Sequence, residues 1–292
     1  MNIRNTPPDI FLSPETRNAY PVSEQMKKVW AIELDMLQKL LRVCTKYHLT
    51  IWAEGGTLLG TIRHGGYIPW DDDIDMAMPR EDYDKLQEVA SQEFTHPYFF
   101  QTIHTDPYYG HRHAQLRNSD TAAFSPGGKT YTSNSGIFID IFPLDYMPKS
   151  PRAFKRHYNK LSSLKARMKA VRNITLHLPD SIYMFCRNHI PFLSNEHLFT
   201  LYEDTLRSVK RADAIAWVDI TFNHTSPQRP LLSYAATEWR DFEYVKMPIP
   251  QGYDTILTIM YGDYMTPVKA PTCHGVLDYD TERSYVDVLK RI

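Results

Sequence analysis

The sequence predicts an α+β fold in which one sheet-based core is interrupted by a helical segment at about 150–212. Three features of the chain point to it. An amphipathic helical pattern follows Ser23. Short strand-like runs then alternate with helices as far as residue 148. After a long helical stretch, the chain returns to strand-like residues near 214–221 and 238–247.

The elements follow in order. Residues 1–21 read as an extended lead-in, because Pro7, Pro8, Pro14 and Pro21 prevent helix. Residues 22–292 then read as one domain. Ser23 can cap a helix running to about His48, whose apolar stripe of Trp30, Leu34, Leu37, Leu41 and Cys44 keeps the spacing of one helical face. Residues 49–53 read as a short strand. Gly55-Gly56-Thr57 and a helical stretch at 58–64 follow. Glycines let backbone approach an anion, and helix N-terminal N–H groups bind it, so this is a candidate phosphate cradle. An ordinary turn uses glycine in the same way, and no Gly-Lys-Ser/Thr follows to make a Walker loop. Further on, a helix is expected at 81–91, strands at 98–103 and 112–118, and a mobile Gly/Ser/Thr-rich loop near the site at 119–135.

The most informative run is Ile68-Pro69-Trp70-Asp71-Asp72-Asp73-Ile74-Asp75-Met76. Read as a strand, Asp73 and Asp75 share one face about 6.6 Å apart, while Ile74 and Met76 point into a core. Two carboxylates so placed repel unless a cation lies between them, and hard oxygens favour magnesium or manganese. Asp71 is a secondary candidate ligand, and Asp72 is expected to face away. A solvated acidic turn would also use Asp, but it would not need the alternating apolar residues. Asp140 is the one charge in the strand-like Gly136-Ile137-Phe138-Ile139-Asp140-Ile141-Phe142. A lone buried charge is costly unless paired or metal-bound, so Asp140 is the natural third ligand.

The totals bound the class. A chain of 292 residues, 42% hydrophobic and 23% charged, can bury a sizeable core. A net charge of −1 predicts no nucleic-acid partner. Cys44, Cys186 and Cys273 are far apart, which suggests neither zinc nor disulfides and fits a reducing cytoplasm. The N-terminus lacks a signal-peptide pattern, and no apolar run is long enough to span a bilayer. Residues 146–179 carry nine Lys and Arg and no acid. A solvated helix pair or peripheral contact of the 149–172 segment with an anionic membrane or lipid-linked substrate would each account for this.

Taken together, Gly55-Gly56-Thr57-Leu58-Leu59-Gly60, Arg63-His64-Gly65-Gly66, the acidic run, Gly136 to Asp145 and Tyr261-Gly262-Asp263-Tyr264-Met265 resemble the LicD family. Similar motifs occur in fukutin and fukutin-related protein. The resemblance implies a nucleotidyltransferase-like mixed sheet flanked by helices, built on a Gly-Gly turn, an Asp-x-Asp strand and a third carboxylate next door. It implies transfer of phosphocholine or a phosphoalditol from a CDP-linked donor to a glycan hydroxyl, or to a lipid-linked precursor, with Mg²⁺ or Mn²⁺. On that reading Asp73, Asp75 and Asp140 are catalytic metal ligands, with Asp71 additional. Asp140 is also a candidate base. Gly55, Gly56 and Thr57 hold donor phosphates. Arg63 and Arg117 bind phosphate or form structural salt bridges, and His64 and His274 line the site or are structural. The family often has a lysine two residues before the arginine matching Arg117. Gln115 stands there instead, leaving His113 or Lys129 to supply the charge. The zinc-binding cysteines of fukutin-related protein have no counterpart. Two other classes remain open: a nucleotidyltransferase acting on a small acceptor, and a silent glycan- or choline-binding member of the fold.

Overall fold

The computed structural model describes residues 3–125, 133–175, 177–219, 228–268 and 277–290. The lead-in is not wholly extended. A 3-10 turn, Asp9–Leu12, follows Pro8, and β1 (Glu15–Arg17) pairs with β2 (Tyr20–Val22) in a hairpin. Asn18 and Ala19 at its tip both have positive φ, as a two-residue hairpin turn requires. Pro21 is tolerated because this ladder is an isolated two-stranded edge.

Helix α1 (Glu24–Tyr47) forms as expected, with the Ser23 hydroxyl accepting the Met26 N–H at 3.1 Å. The expected single stripe is only part of its packing. Every residue from 29 to 37 is buried, since the N-terminal turn covers one side and the sheet another. Strand β3 (Trp52–Ala53), helix α2 (Gly55–His64), strand β4 (Asp75–Pro79) and helix α3 (Arg80–Glu93) follow. Next come β5 (Tyr98–Gln101), β6 (Ala114–Asn118) and β7 (Ala122–Phe124), the last a short strand inside the stretch expected to be all loop.

The spine of the fold is β8 (Ile137–Pro148). On one edge it pairs in parallel with β4. On the other it pairs antiparallel with β6 along its first half and with β9 (Ala214–Asp219) along its second. This gives a mixed seven-stranded sheet with β3, β5 and β10 (Arg229–Pro230) outside. Between β8 and β9 lies the helical insertion: α4 (Pro151–Thr175), α5 (Asp180–His189) and α6 (Asn195–Arg207). It builds a second core from Leu161, Leu164, Val171, Leu198, Phe199 and Leu206. The single strand expected at 238–247 is a hairpin, β11 (Thr237–Phe242) and β12 (Val245–Pro250), turning at Glu243 with φ 54°. Helix α7 (Tyr253–Tyr261), strand β13 (Asp278–Asp280), paired with β7, and helix α8 (Tyr285–Leu289) complete the described chain.

One buried cation ties the insertion to the core. Arg80, at the start of α3, donates from Nε and Nη2 to both oxygens of Asp145 on β8, at 2.8 and 2.7 Å. Its Nη1 donates to Glu203 on α6 at 2.8 Å. All three side chains are nearly inaccessible, so each ion owes its tolerance to the others. Arg80→Ala should therefore lower unfolding free energy by about 3–5 kcal/mol in urea titration, and a loss under about 1 kcal/mol would show the pairing is not structural.

Candidate active site

The acidic run divides at the sheet edge. Asp73, whose charge is the largest acting on Asp75, lies just ahead of the strand, because the β4 ladder begins at Asp75. The reason is local. The Asp75 N–H is taken by the Thr57 hydroxyl at 2.8 Å, and the turn before it is pinned by Trp30, whose Nε1 donates to the Asp71 carbonyl at 3.1 Å. Asp71, Asp72 and Asp73 thus form their own cluster, with one oxygen from each within 4.8 Å of the others. Asp72, expected to face away, belongs to this cluster, and its Oδ2 accepts from the Tyr279 hydroxyl at 2.9 Å.

Register brings the remaining carboxylates together. Asp75 stands opposite Asp140 across β4 and β8, Asp140 opposite Gln115 across β8 and β6, and Gln115 opposite Gln101 across β6 and β5. Directly opposed residues share a face. The result is a transverse row, Asp75–Asp140–Gln115–Gln101. Gln115 Nε2 donates to Asp140 Oδ1 at 2.7 Å, and His113 Nε2 lies 3.1 Å from the same oxygen. Arg117 sits behind this row, buried, giving its guanidinium to the Gln101 and Gln115 side-chain oxygens and, at 2.5 Å, to the Gly136 carbonyl. These contacts tie it to the side chains of the row. By occupying the Gln115 oxygen, it turns the amide nitrogen toward Asp140.

The glycines explain how a helix end fits against this charge. Helix α2 starts at Gly55, with φ 51°, a conformation side chains disfavour. A Cβ there would stand 3.2 Å from Asp75 Oδ2, and one at Gly56 would stand 2.7 Å from Asp71 Oδ2. The positive end of the α2 dipole is therefore in contact with the carboxylates. Thr57 is buried, and its hydroxyl is a strut to β4. Arg63 lies in the last turn of α2, about 12 Å along the axis from Gly55, and its Nη1 donates to the Tyr264 carbonyl at 2.8 Å. It anchors the Tyr261–Met265 segment, whose Tyr261 hydroxyl reaches the Gly55 side of the site. His64 lies next to Asn18, at 2.9 Å, away from the row. Lys129 and His274 lie outside the described residues.

Several site residues escaped the sequence reading. Glu54 stands at the N-terminal boundary of α2, just after β3, is buried, and pairs with Arg229. Glu33 is buried beneath the acidic turn and accepts from the Tyr67 hydroxyl at 2.7 Å. Its only signal was a charge inside an otherwise apolar helical stretch. Electrostatics separate the two central carboxylates. Burial, then the charges of Asp73, Asp140, Asp71 and Glu54, push the Asp75 carboxyl well above the ordinary range. Burial opposes ionisation of Asp140 as well, but His113 and the Gln115 amide outweigh it and hold its carboxyl below the usual value. Partly exposed carboxylates crowded in this way are the donor set a hard divalent cation takes.

Residues 48–162 match the family described as LicD/FKTN/FKRP, nucleotidyltransferase domain. The lipopolysaccharide cholinephosphotransferase LicD of Haemophilus influenzae is 27% identical over 262 residues, covering 87% of this chain and 95% of that protein. The ribitol 5-phosphate transferase FKRP of Homo sapiens is 45% identical over 42 residues, 14% of this chain and 8% of its own. An uncharacterized protein of Rickettsia prowazekii is 38% identical over 84 residues, 28% of this chain and 30% of its own.

Two outcomes follow from the crowding. In chelator, Asp75→Asn should melt no lower than wild type, because it removes a charge its neighbours repel. With added magnesium only wild type should gain, since ligand binding to the folded state raises apparent stability. An equal magnesium-induced rise in both proteins would remove Asp75 from the ligand set. The glycines should separate as well. Gly55→Ala, strained at positive φ, should cost about 1 kcal/mol or more. Gly56→Ala should fold nearly normally, because the Asp71 carboxylate can swing aside, but should bind magnesium more weakly by calorimetry.

Proposed function

We propose, for a chain whose residues 48–162 belong to the LicD family of nucleotidyltransferase domains, that it is a phosphotransferase acting on glycans. In this reading it moves phosphocholine or a phosphoalditol from a CDP-linked donor to a hydroxyl of a cell-surface glycan or its lipid-linked precursor. The observation that carries the reading is the opposed pair Asp75 and Asp140, flanked by the Asp71–Asp73 turn and faced by the α2 N-terminus. The likeness to a lipopolysaccharide cholinephosphotransferase along 95% of that protein supports the reaction class.

Asp71, Asp73, Asp75 and Asp140 would hold Mg²⁺ or Mn²⁺, and Asp72 adds an oxygen close by. A bound cation there would supply charge neutralisation at the donor pyrophosphate and the departing CMP. The chain's own groups do the rest. N–H groups of the first turn of α2 meet donor phosphate, helped by the helix dipole. The acceptor hydroxyl oxygen attacks the distal phosphorus, the bond from that phosphorus to the CMP oxygen breaks, and the hydroxyl proton passes to Asp140. His113 and Gln115 both hold the Asp140 Oδ1 atom, so its direction is fixed before substrate arrives. Gln115 thereby takes up a position near the third carboxylate where the family often has a lysine, supplying a hydrogen bond without a charge.

A cytoplasmic location, at the inner face of the membrane, is part of the same proposal. The buried thiols of Cys44 and Cys186 are unpaired with each other or with any described cysteine, in keeping with reducing surroundings. Among the described residues, no helix is long and apolar enough to cross a membrane.

Incubation with CDP-choline, CDP-ribitol or CDP-glycerol, magnesium and acceptor glycan should release CMP with one of the donors. Asp73→Asn and Asp75→Asn should each lower the rate at least about a hundredfold, the scale of losing one electrostatic contact to the transition state. Release of phosphocholine or the free alditol phosphate, with CMP left on the acceptor, would instead identify a nucleotidyltransferase, and full turnover by Asp75→Asn would sink the metal assignment.

A further inference from the structure

The helical insertion displays a surface that the proposed chemistry does not use. Along α4, positions 152, 156, 160, 163, 167, 170 and 174 repeat at four- and three-residue spacing and so share one face. They are Arg152, Arg156, Lys160, Ser163, Arg167, Ala170 and Ile174, and all are exposed. The stripe is about 33 Å long, carries four cations, and belongs to a segment with no acid from 146 to 179. Near its start, between α4 and residues 208–213, lies a cleft of about 430 Å³ lined by Lys149, Arg156, Lys160 and Lys210, with Asp213 its one acid.

At its other end the stripe runs into exposed apolar side chains. Ile174 is 58% exposed, and α5 presents Ile182 (48%) and Phe185 (58%) three residues apart on one face. The turn after α5, Pro191–Leu193, packs against α4, α5 and α6 and exposes Phe192 (67%). These side chains are not displayed because α5 is loosely held. Its other side is anchored: the Tyr183 hydroxyl donates to the Pro107 carbonyl, Tyr183 stacks on Tyr108 at 4.9 Å, Cys186 is buried, and Arg187 reaches the Ile103 carbonyl at 3.0 Å. The anchoring loop leads straight to the catalytic row. Arg172 Nη1 donates to the Gly110 carbonyl at 3.3 Å, and the His111 ring lies 5.2 Å from the His113 ring, which touches Asp140.

We propose that this surface docks on an anionic lipid bilayer, with the α4 stripe lying against lipid phosphates and Ile174, Ile182, Phe185 and Phe192 entering the interface beside the loop that leads to Asp140. The cations match the charge of an anionic leaflet, and apolar tips next to a basic face are the pattern of an interfacial element. A soluble polyanion would match the stripe but would leave the aromatic tips without a role. Docking this way brings the loop beside Asp140 toward lipid level, where a lipid-linked acceptor presents its hydroxyl. That last consequence rests on the reaction proposed above, whereas the docking itself does not.

Co-sedimentation of the full chain with phosphatidylcholine vesicles, with and without phosphatidylglycerol, tests the docking without any turnover. Failure here would leave the phosphotransferase reading standing, and failure of the donor assay would leave the docking standing. Wild type should bind only the anionic vesicles, and less tightly as salt rises. The quadruple variant Arg152→Glu, Arg156→Glu, Lys160→Glu, Arg167→Glu should lose at least about a hundredfold in partitioning. Phe185→Ser with Phe192→Ser should lose about tenfold or more. All positions are exposed, so circular dichroism and melting temperature should match wild type. Absence of anionic binding by wild type overturns the proposal, as does retained binding by the folded quadruple variant. Equal vesicle binding by the double serine variant, with heparin competing fully, would identify a soluble-polyanion surface and overturn it too.

Discussion

Repulsion among carboxylates at the mouth of one parallel strand pair is the constraint around which this chain is arranged. Asp71, Asp72, Asp73, Asp75, Asp140 and Glu54 converge where β4 enters the sheet, with Glu33 beneath. Each close neighbour answers part of that charge. The α2 dipole meets Asp71 and Asp75, Arg229 meets Glu54, His113 and Gln115 meet Asp140, Tyr279 meets Asp72, and Tyr67 meets Glu33. Asp75 and Glu33 are members for which burial and like charge outweigh these compensations. A fold that selects for stability alone would not keep such a cluster, so the arrangement reads as a cost borne for function.

The compensations form a hierarchy that reaches into the core. Arg117 touches none of the carboxylates, yet it fixes the Gln115 amide that does. Gln101 shares the same guanidinium and in turn donates to Asp106 at 2.8 Å. Asp106 also accepts the Asn134 N–H at 3.0 Å, so the β6 row is braced by the chain on both sides of the strand. A lysine at 115 would bring a charge to Asp140, whereas glutamine brings direction. His113 stands at the same carboxylate oxygen, its Nε2 3.1 Å from Asp140 Oδ1.

Much of this was legible in the sequence where chemistry and local pattern coincide. The Ser23 cap, the Gly55-Gly56 helix start, the acidic run and the lone Asp140 each announce themselves within a few residues. What could not be read is what register decides. The pairing of Asp75 with Asp140 was expected only as nearness, and the extension of the row to Gln115 and Gln101 needs three separate strand pairings. Arg117 is expected from the sequence either to bind phosphate or to be structural, and only tertiary packing shows its bonds to Gln101, Gly136 and Gln115. Asp73 and Asp75 read as one strand face from their alternation; Asp73 lies just ahead of the ladder, with the turn before it held by the Trp30 indole, and its charge is the largest acting on Asp75.

The length of the insertion follows from the length of β8. From Asp140 to Pro148 the strand carries the chain about 26 Å away from the site. A short connection there would have led into β9 and left the insertion remote from the chemistry. Instead the 25 residues of α4 rise about 37 Å, enough to return past the site, and Arg172 in its last turn reaches the loop beside His111 and His113. The Arg80 clamp then matters for more than stability. It fixes α6 against α3 and β8, and α4 packs on α6 through the second core. The insertion's far end is thereby held in a set place beside the loop that carries His111 and His113.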